Sequence, residues 1–333
     1  MTLNIAYIFD ENYLMQAGVS ITSLLLSNKG AGIHFFLIHP KKVPDSIEKV
    51  YSVIEEYGAT YSTLYSDDLD PLLKQLNVPT YNGSMVVYYR LFLADFIPQV
   101  DRLLYIDGDT IIIGDVWSLF NTNLGDNIIG MCYDSNSIEV KWAYGCCDGE
   151  PYYNNGIVLY DLKKYRESFD RKKIIEAIST ICAGSILPDQ DLLNLQFKGQ
   201  IKNLDLRYNF QPIHFLFSSD IYLSYFKKDY YSKEQIDGAL NNVVIYHAIR
   251  IFGDRPWDYD SKHPYKDLFE EYKKKSPWAE EISIKKKKRI IHLVEFYLCK
   301  LLPKRLFFYI FYKIHKIEVL RELRERRKTI SNN

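Results

Sequence analysis

The chain has 333 residues, 47% of them hydrophobic and 15% aromatic, enough apolar material for a sizeable core and too much for a disordered polymer. Lys plus Arg and Asp plus Glu both number 42, yet 15 Lys or Arg against 4 Asp or Glu lie from Lys285 onward. A tail of net +11 therefore follows a body of net −11, and the two are expected to meet different partners. The five cysteines, Cys132, Cys146, Cys147, Cys182 and Cys299, form no Cys-x-x-Cys pair, which argues against a disulfide framework or a zinc site. With no basic-apolar leader and no uncharged apolar run of ~18 residues, the expectation is a cytoplasmic protein without a spanning helix.

In chain order, the first half alternates short apolar runs with helical patterns, which predicts βαβ units and a Rossmann-like, mainly parallel sheet flanked by helices. Strands are expected at residues 4–9, 33–38, 60–65, 103–107, 128–133 and 153–160, and helices at 19–26, 47–57, 69–76 and 85–96, punctuated by Pro44, Pro71 and Pro98. Residues 205–233, dense in Tyr, Phe and Ser without a clear period, are expected to be irregular. The stretch 242–247 reads as a last buried strand and 256–276 as a loop followed by a helix. The predicted division is a main domain over 1–280 and a basic, aromatic-rich helical appendage over 281–333.

The segment Leu103-Leu104-Tyr105-Ile106-Asp107-Gly108-Asp109 sets two carboxylates two apart at the end of an apolar strand. Side chains two apart on a strand share a face without converging, so a turn is required. Gly108 is expected to supply the backbone freedom that brings both oxygens onto one hard cation. Open α/β sheets bind ligands at the carboxyl ends of their strands, and a divalent ion there would neutralise a diphosphate as it leaves. Taken alone, the triplet reads more readily as an Asp-Gly turn.

Further blocks change that balance. Ile5-Ala6-Tyr7-Ile8-Phe9-Asp10-Glu11-Asn12-Tyr13, Tyr89-Arg90-Leu91-Phe92-Leu93, Tyr153-Asn154-Asn155-Gly156, Pro188-Asp189-Gln190-Asp191 and Gly253-Asp254-Arg255-Pro256-Trp257 accompany it in order, with His247 before the last. With them the chain, from about residue 4 to about 275, resembles glycosyltransferase family 8, the retaining enzymes that include bacterial lipopolysaccharide galactosyl- and glucosyltransferases and glycogenin. The resemblance implies a GT-A type mixed sheet, a UDP-hexose donor and Mn2+ or Mg2+ held by Asp107, Asp109 and His247. It further implies donor contacts from Ala6, Asp10, Asn12, Arg90, Gly108, Gly253 and Arg255, and a sugar side formed by Asn154, Asp189 and Gln190, with Gln190 facing the anomeric carbon.

Each residue has a plainer reading. His247 ends an apolar strand, where a lone histidine is usually structural. Arg90 sits among apolar neighbours and requires an anionic partner, which an internal ion pair would equally supply. Arg255 stands where the family usually has lysine; it suits a phosphate bidentately, or is a solvated surface cation. Asp10 and Asn12 could be turn formers, Asp189 a helix cap after Pro188, and Asn154 an ordinary strand-edge asparagine.

In the tail, Lys285–Arg289 lead into Ile290-Ile291-His292-Leu293-Val294, and Leu306-Phe307-Phe308-Tyr309-Ile310-Phe311-Tyr312 follows Pro303. Basic residues interleaved with bulky aromatics predict interfacial helices, each Lys or Arg contributing ~1 kcal/mol at an anionic surface. A nucleic-acid patch and a packed helical cap are the competing readings, and nucleic acid is not expected. The expected partners are a UDP-sugar, a saccharide or glycolipid acceptor and the inner face of the cell membrane. Two other functions compete with transfer: a haloacid-dehalogenase-like phosphohydrolase using the Asp-x-Asp motif, and a membrane-bound scaffold with broken metal ligands.

Overall fold

A computed structural model describes residues 2–78, 80, 84–135, 150–181, 185, 187–226, 230–282 and 289–331. Its centre is a seven-stranded sheet of order β3-β2-β1-β4-β7-β6-β8, comprising β1 (Leu3–Ile8), β2 (Ile33–His39), β3 (Thr60–Tyr65), β4 (Arg102–Ile106), β6 (Ile129–Tyr133), β7 (Tyr153–Asp161) and β8 (Ile201–Asn203). Strands β3, β2, β1 and β4 pair in parallel; β7 runs antiparallel to both β4 and β6, and β6 is parallel to β8. The sheet is mixed, as the resemblance implies, and its antiparallel member carries Asn154.

Alternation along the strands builds a core on each face. Ile5 and Tyr7 of β1, Leu104 and Ile106 of β4 and Ile157 and Leu159 of β7 pack in one cluster with the helix Leu14–Ser27 and with Trp278. Ala6, Tyr105 and Val158 point the other way, into a cluster with Tyr88, Phe92, Leu192 and Leu193. Being covered on both faces, β1 is apolar from Ile5 to Ile8, the pattern of an interior parallel strand.

Several local expectations change. The span 85–96 is a 3-10 helix, Val86–Phe92, that becomes α-helical only at Leu93–Phe96; Tyr88 through Phe92 are all buried, so its apolar character reflects enclosure on every side. Residues 205–233, read as irregular, contain a 3-10 turn at Leu206–Tyr208 and helices at Pro212–Leu216 and Ser219–Phe226. These helices are too short to display a period. Strand β5 (Thr110–Ile112), which the sequence did not reveal, pairs antiparallel with β9 (Ile245–His247) in a separate ribbon.

The C-terminal helices Ile290–Leu301 and Lys304–Ser331 lie against this region, with Cys299, Phe307, Phe308 and Tyr312 buried beside Phe217 and Tyr222. The Tyr312 hydroxyl donates to the Ser135 carbonyl at 2.9 Å. Lys285–Lys288, Cys146, Cys147 and Cys182 fall outside the described residues; Cys132 and Cys299 are buried free thiols. Among the described residues no helix is long and apolar enough to cross a membrane.

Candidate active site

Strand β4 ends at Ile106 and the chain turns through Asp107-Gly108-Asp109 into β5. The turn joins two different sheets. Main-chain bonds fix it at both ends: the Asp107 amide donates to Gly156 O at 2.8 Å and the Ala248 amide to Asp109 O at 2.8 Å. The register of β5 on β9 sets Thr110 opposite His247, which delivers the imidazole to the acidic pair. The backbone of Gly108 is not left-handed, contrary to the freedom expected of it. Its hydrogen is needed for packing instead, because a Cβ there would approach the Ala17 Cβ to 3.2 Å.

His247 Nε2 lies 3.2 Å from Asp109 Oδ1 and 3.8 Å from Asp107 Oδ2, and one ligand atom from each of the three residues falls within 4.8 Å of the others. Two carboxylate oxygens and an imidazole nitrogen form a donor set suited to Mn2+ or Mg2+, so the residues fit the cation that the family implies. The remaining oxygens are occupied. Asp107 Oδ1 accepts from Arg90 Nη2 at 2.9 Å and from the Tyr105 hydroxyl, while Asp109 Oδ2 accepts from Arg255 Nη1. Each carboxylate thus offers one oxygen inward and commits the other to an arginine.

The two acids differ electrostatically. Burial raises the Asp107 pKa, and Arg90 only partly offsets it; at Asp109 burial is outweighed by Arg255 and His247, which hold the carboxyl below its ordinary range. Arg90 is buried, donates from Nη1 to the Asn155 carbonyl at 2.9 Å, and keeps Nε 3.1 Å from Asp189 Oδ2. It is therefore the internal ion pair and the site neighbour at once.

Among the residues predicted for the sugar, the helix Pro188–Gln196 brings Asp189 and Gln190 against β7. Asp189 Oδ2 accepts from Asn155 Nδ2 at 2.6 Å, and Gln190 Oε1 accepts from Asn154 Nδ2 and the Asn155 amide, each at 3.2 Å. Gln190 Nε2 donates to Asp134 Oδ2 at 3.2 Å and to the Tyr152 hydroxyl at 3.1 Å. Tyr152 in turn donates to Asp191, whose pKa burial pushes up to about 7.

The predicted nucleotide-side residues are more scattered. Ala6 is enclosed within β1, while Asp10 and Asn12 line an open groove of about 550 Å3 beyond the ends of β1 and β2, with Pro40, Lys42 and Val43. Asp10 accepts from the Asn12 amide at 3.0 Å and the Ser84 hydroxyl at 3.1 Å, so it is also the turn former of the plainer reading. Arg255 Nη2 reaches the Tyr13 hydroxyl at 3.4 Å and its guanidinium stacks 5.5 Å over Trp257, which ties the N-terminal loop to the 253–257 loop. Gly253, with φ of +72°, turns toward the C-terminal helix, where a Cβ would lie 2.3 Å from His292 Cδ2.

Sequence reasoning missed Tyr105, Asp134, Tyr152, Gly156 and Asn209. Only Gly156 gave a signal, as a glycine inside an apolar strand, which marks a close approach.

The architecture is of the GT-A type. It matches the solved galactosyltransferase LgtC in complex with donor and acceptor sugar analogues at a TM-score of 0.65, with 22% identity over 83% of this chain and 96% of that one. The glycosyltransferase GlyE of Streptococcus pneumoniae matches at 0.59, with 22% identity over 89% and 64%. The sequence profile of glycosyl transferase family 8 matches residues 4–261, and the chain belongs to that family. A lipopolysaccharide 1,2-glucosyltransferase of Escherichia coli K12 is 31% identical over 62% of this chain and 62% of its own length. The general stress protein A of Bacillus subtilis is 24% identical over 81% and 92%. The dehalogenase-like reading finds no support, and among the described residues the broken ligand set that a scaffold would need is not present.

Proposed function

We propose that this chain is a metal-dependent retaining hexosyltransferase that moves glucose or galactose from a UDP-sugar to a saccharide acceptor in lipopolysaccharide or other cell-surface glycan synthesis. The observation that carries the reading is the convergence of Asp107 Oδ2, Asp109 Oδ1 and His247 Nε2 at the carboxyl end of β4. Mn2+ or Mg2+ held there supplies positive charge for a diphosphate leaving group. Arg255 adds a fixed cation beside it, and Arg90 holds Asp107 and Asp189 at a set separation. Asp189, Gln190 and Asn154 bind and orient the hexose, and Asp10, Asn12 and Lys42 flank the groove proposed for the nucleoside. The relatives named for lipopolysaccharide glucosyl and galactosyl transfer support the acceptor class.

The tail is proposed to hold residues 1–280 at the inner face of an anionic membrane. Ile290, Val294, Tyr297 and Leu301, spaced as one helical stripe, remain exposed, as do Leu306 and Tyr309 on the next helix.

Titrating UDP with and without Mn2+ by calorimetry, then assaying UDP-glucose and UDP-galactose turnover, tests the function. Mn2+-dependent uptake of UDP that Asp109→Asn removes is expected. Equal binding by the variant, or no uptake of UDP by the wild type, would overturn the reading.

A further inference from the structure

The buried side chain of Asn209 touches two groups of the site without belonging to either set. Its Oδ1 lies 2.9 Å from His247 Nδ1 and its Nδ2 donates to Asn154 Oδ1 at 2.8 Å. The main chain holds it there: the Phe210 amide donates to Ile245 O at 2.9 Å and the His247 amide to Phe210 O at 3.0 Å, which zips residues 209–210 to β9.

The orientation of every amide in this row follows from one backbone group. The Gly156 N–H can only donate, and at 3.0 Å it meets the Asn154 side-chain oxygen. The Asn154 NH2 must then face Asp134 Oδ2 at 2.8 Å, which can only accept when ionised. With its oxygen presented to Asn209, Asn154 requires the Asn209 NH2, so the Asn209 oxygen turns to His247. An oxygen there demands a proton on Nδ1 and turns Nε2 toward the inward oxygens of Asp107 and Asp109, 3.8 and 3.2 Å away.

We infer that Asn209 is a positioning residue that fixes His247 in the Nδ1–H tautomer and so presents Nε2 to the cation. Partners of this kind orient a ligating imidazole, and their loss costs about 10–100-fold in metal affinity. The inference rests on the cation reading of Asp107, Asp109 and His247. It adds that the ligand is linked through Asn209 and Asn154 to Gln190 on the sugar side.

Long-range 1H–15N spectra of the metal-free full chain, labelled at its seven histidines and assigned through His247→Gln, read the tautomer directly. A proton resident on Nδ1 is expected, and a pyridine-like Nδ1 with the proton on Nε2 alone overturns the inference even if no Asn209 variant folds. In Asn209→Leu the tautomer preference should be lost and the Mn2+ dissociation constant, measured calorimetrically with UDP present, should rise about 10–100-fold. A wild type that takes up no Mn2+ overturns the cation site, and with it the purpose assigned to Asn209. A wild type that binds and a variant that binds equally well overturn the role of Asn209 alone.

Discussion

Gly156 lies directly under the imidazole of His247: a Cβ built on it would stand 2.2 Å from Cε1 and 2.7 Å from Nδ1. Neither can retreat, because the Gly156 carbonyl holds Asp107 while the ring is pinned by Asn209. Gly156→Ala is therefore expected to displace the ring and weaken Mn2+ uptake by more than about 100-fold, beyond the range of an outer partner. Turnover near the wild-type level would reject this geometry.

Arg90 neutralises two enclosed carboxylates at once. Removing the guanidinium in Arg90→Met strands Asp107 and Asp189, and breaking a buried pair from one side costs about 3–5 kcal/mol. Urea unfolding measures the loss; a change under about 1 kcal/mol would show that the pairs carry little of the stability. Arg90→Lys should recover only part of it, since one ammonium cannot make the contacts of the planar fork.

His214 is fully enclosed by Phe210, Tyr222 and Tyr230, and burial lowers its pKa from 6.5 to about 3. A base depressed in the folded state stabilises above its unfolded pKa, and that contribution is lost as pH falls from 6.5 toward 3. By pH 5 the loss is about 2 kcal/mol. Asp191, raised to about 7, works in the opposite sense over pH 7 to 4, so the wild-type profile is a sum. The stability gap between His214→Gln and wild type isolates the histidine: it should shift by about 2 kcal/mol between pH 7 and 5 in favour of the variant, and a pH-independent gap would refute it.

The C-terminal helices present two apolar faces, one exposed and one buried. Serine at Val294, Tyr297 and Leu301 should reduce co-sedimentation with anionic vesicles by at least about tenfold, since each removes exposed apolar area, and leave melting unchanged. Phe308→Ala, by contrast, opens the cluster of Phe217, Tyr222 and Tyr312 and should cost about 3–5 kcal/mol. Unaltered vesicle binding of the triple variant would assign the exposed stripe to another surface.

The strands of the first half were legible because an enclosed parallel sheet writes continuous apolar runs, and β1, β2 and β4 read within a residue or two of their ends. The acidic pair and His247 could be paired only through motif order, since the β5–β9 register that joins them spans three-residue strands without a pattern of their own. Asn209 was hidden for a related reason. A polar residue among Tyr208 and Phe210 in a stretch lacking periodicity looks like loop, and its value lies in partners more than thirty residues away. The basic character of the tail is local and legible in the sequence, whereas the aromatic face that seats it on Phe217 and Phe252 requires knowledge of the partner.

Strands β4 and β7 are laced antiparallel from Arg102 opposite Asp161 to Ile106 opposite Ile157, and the lacing continues through the Asp107 amide to Gly156. Asp107 and the Asn154–Gly156 stretch lie at the same end of this ladder, so its register sets how the acidic half of the site meets the Asn154 half. Adding or removing one residue in either strand would turn alternate side chains to the opposite face and sever the two halves.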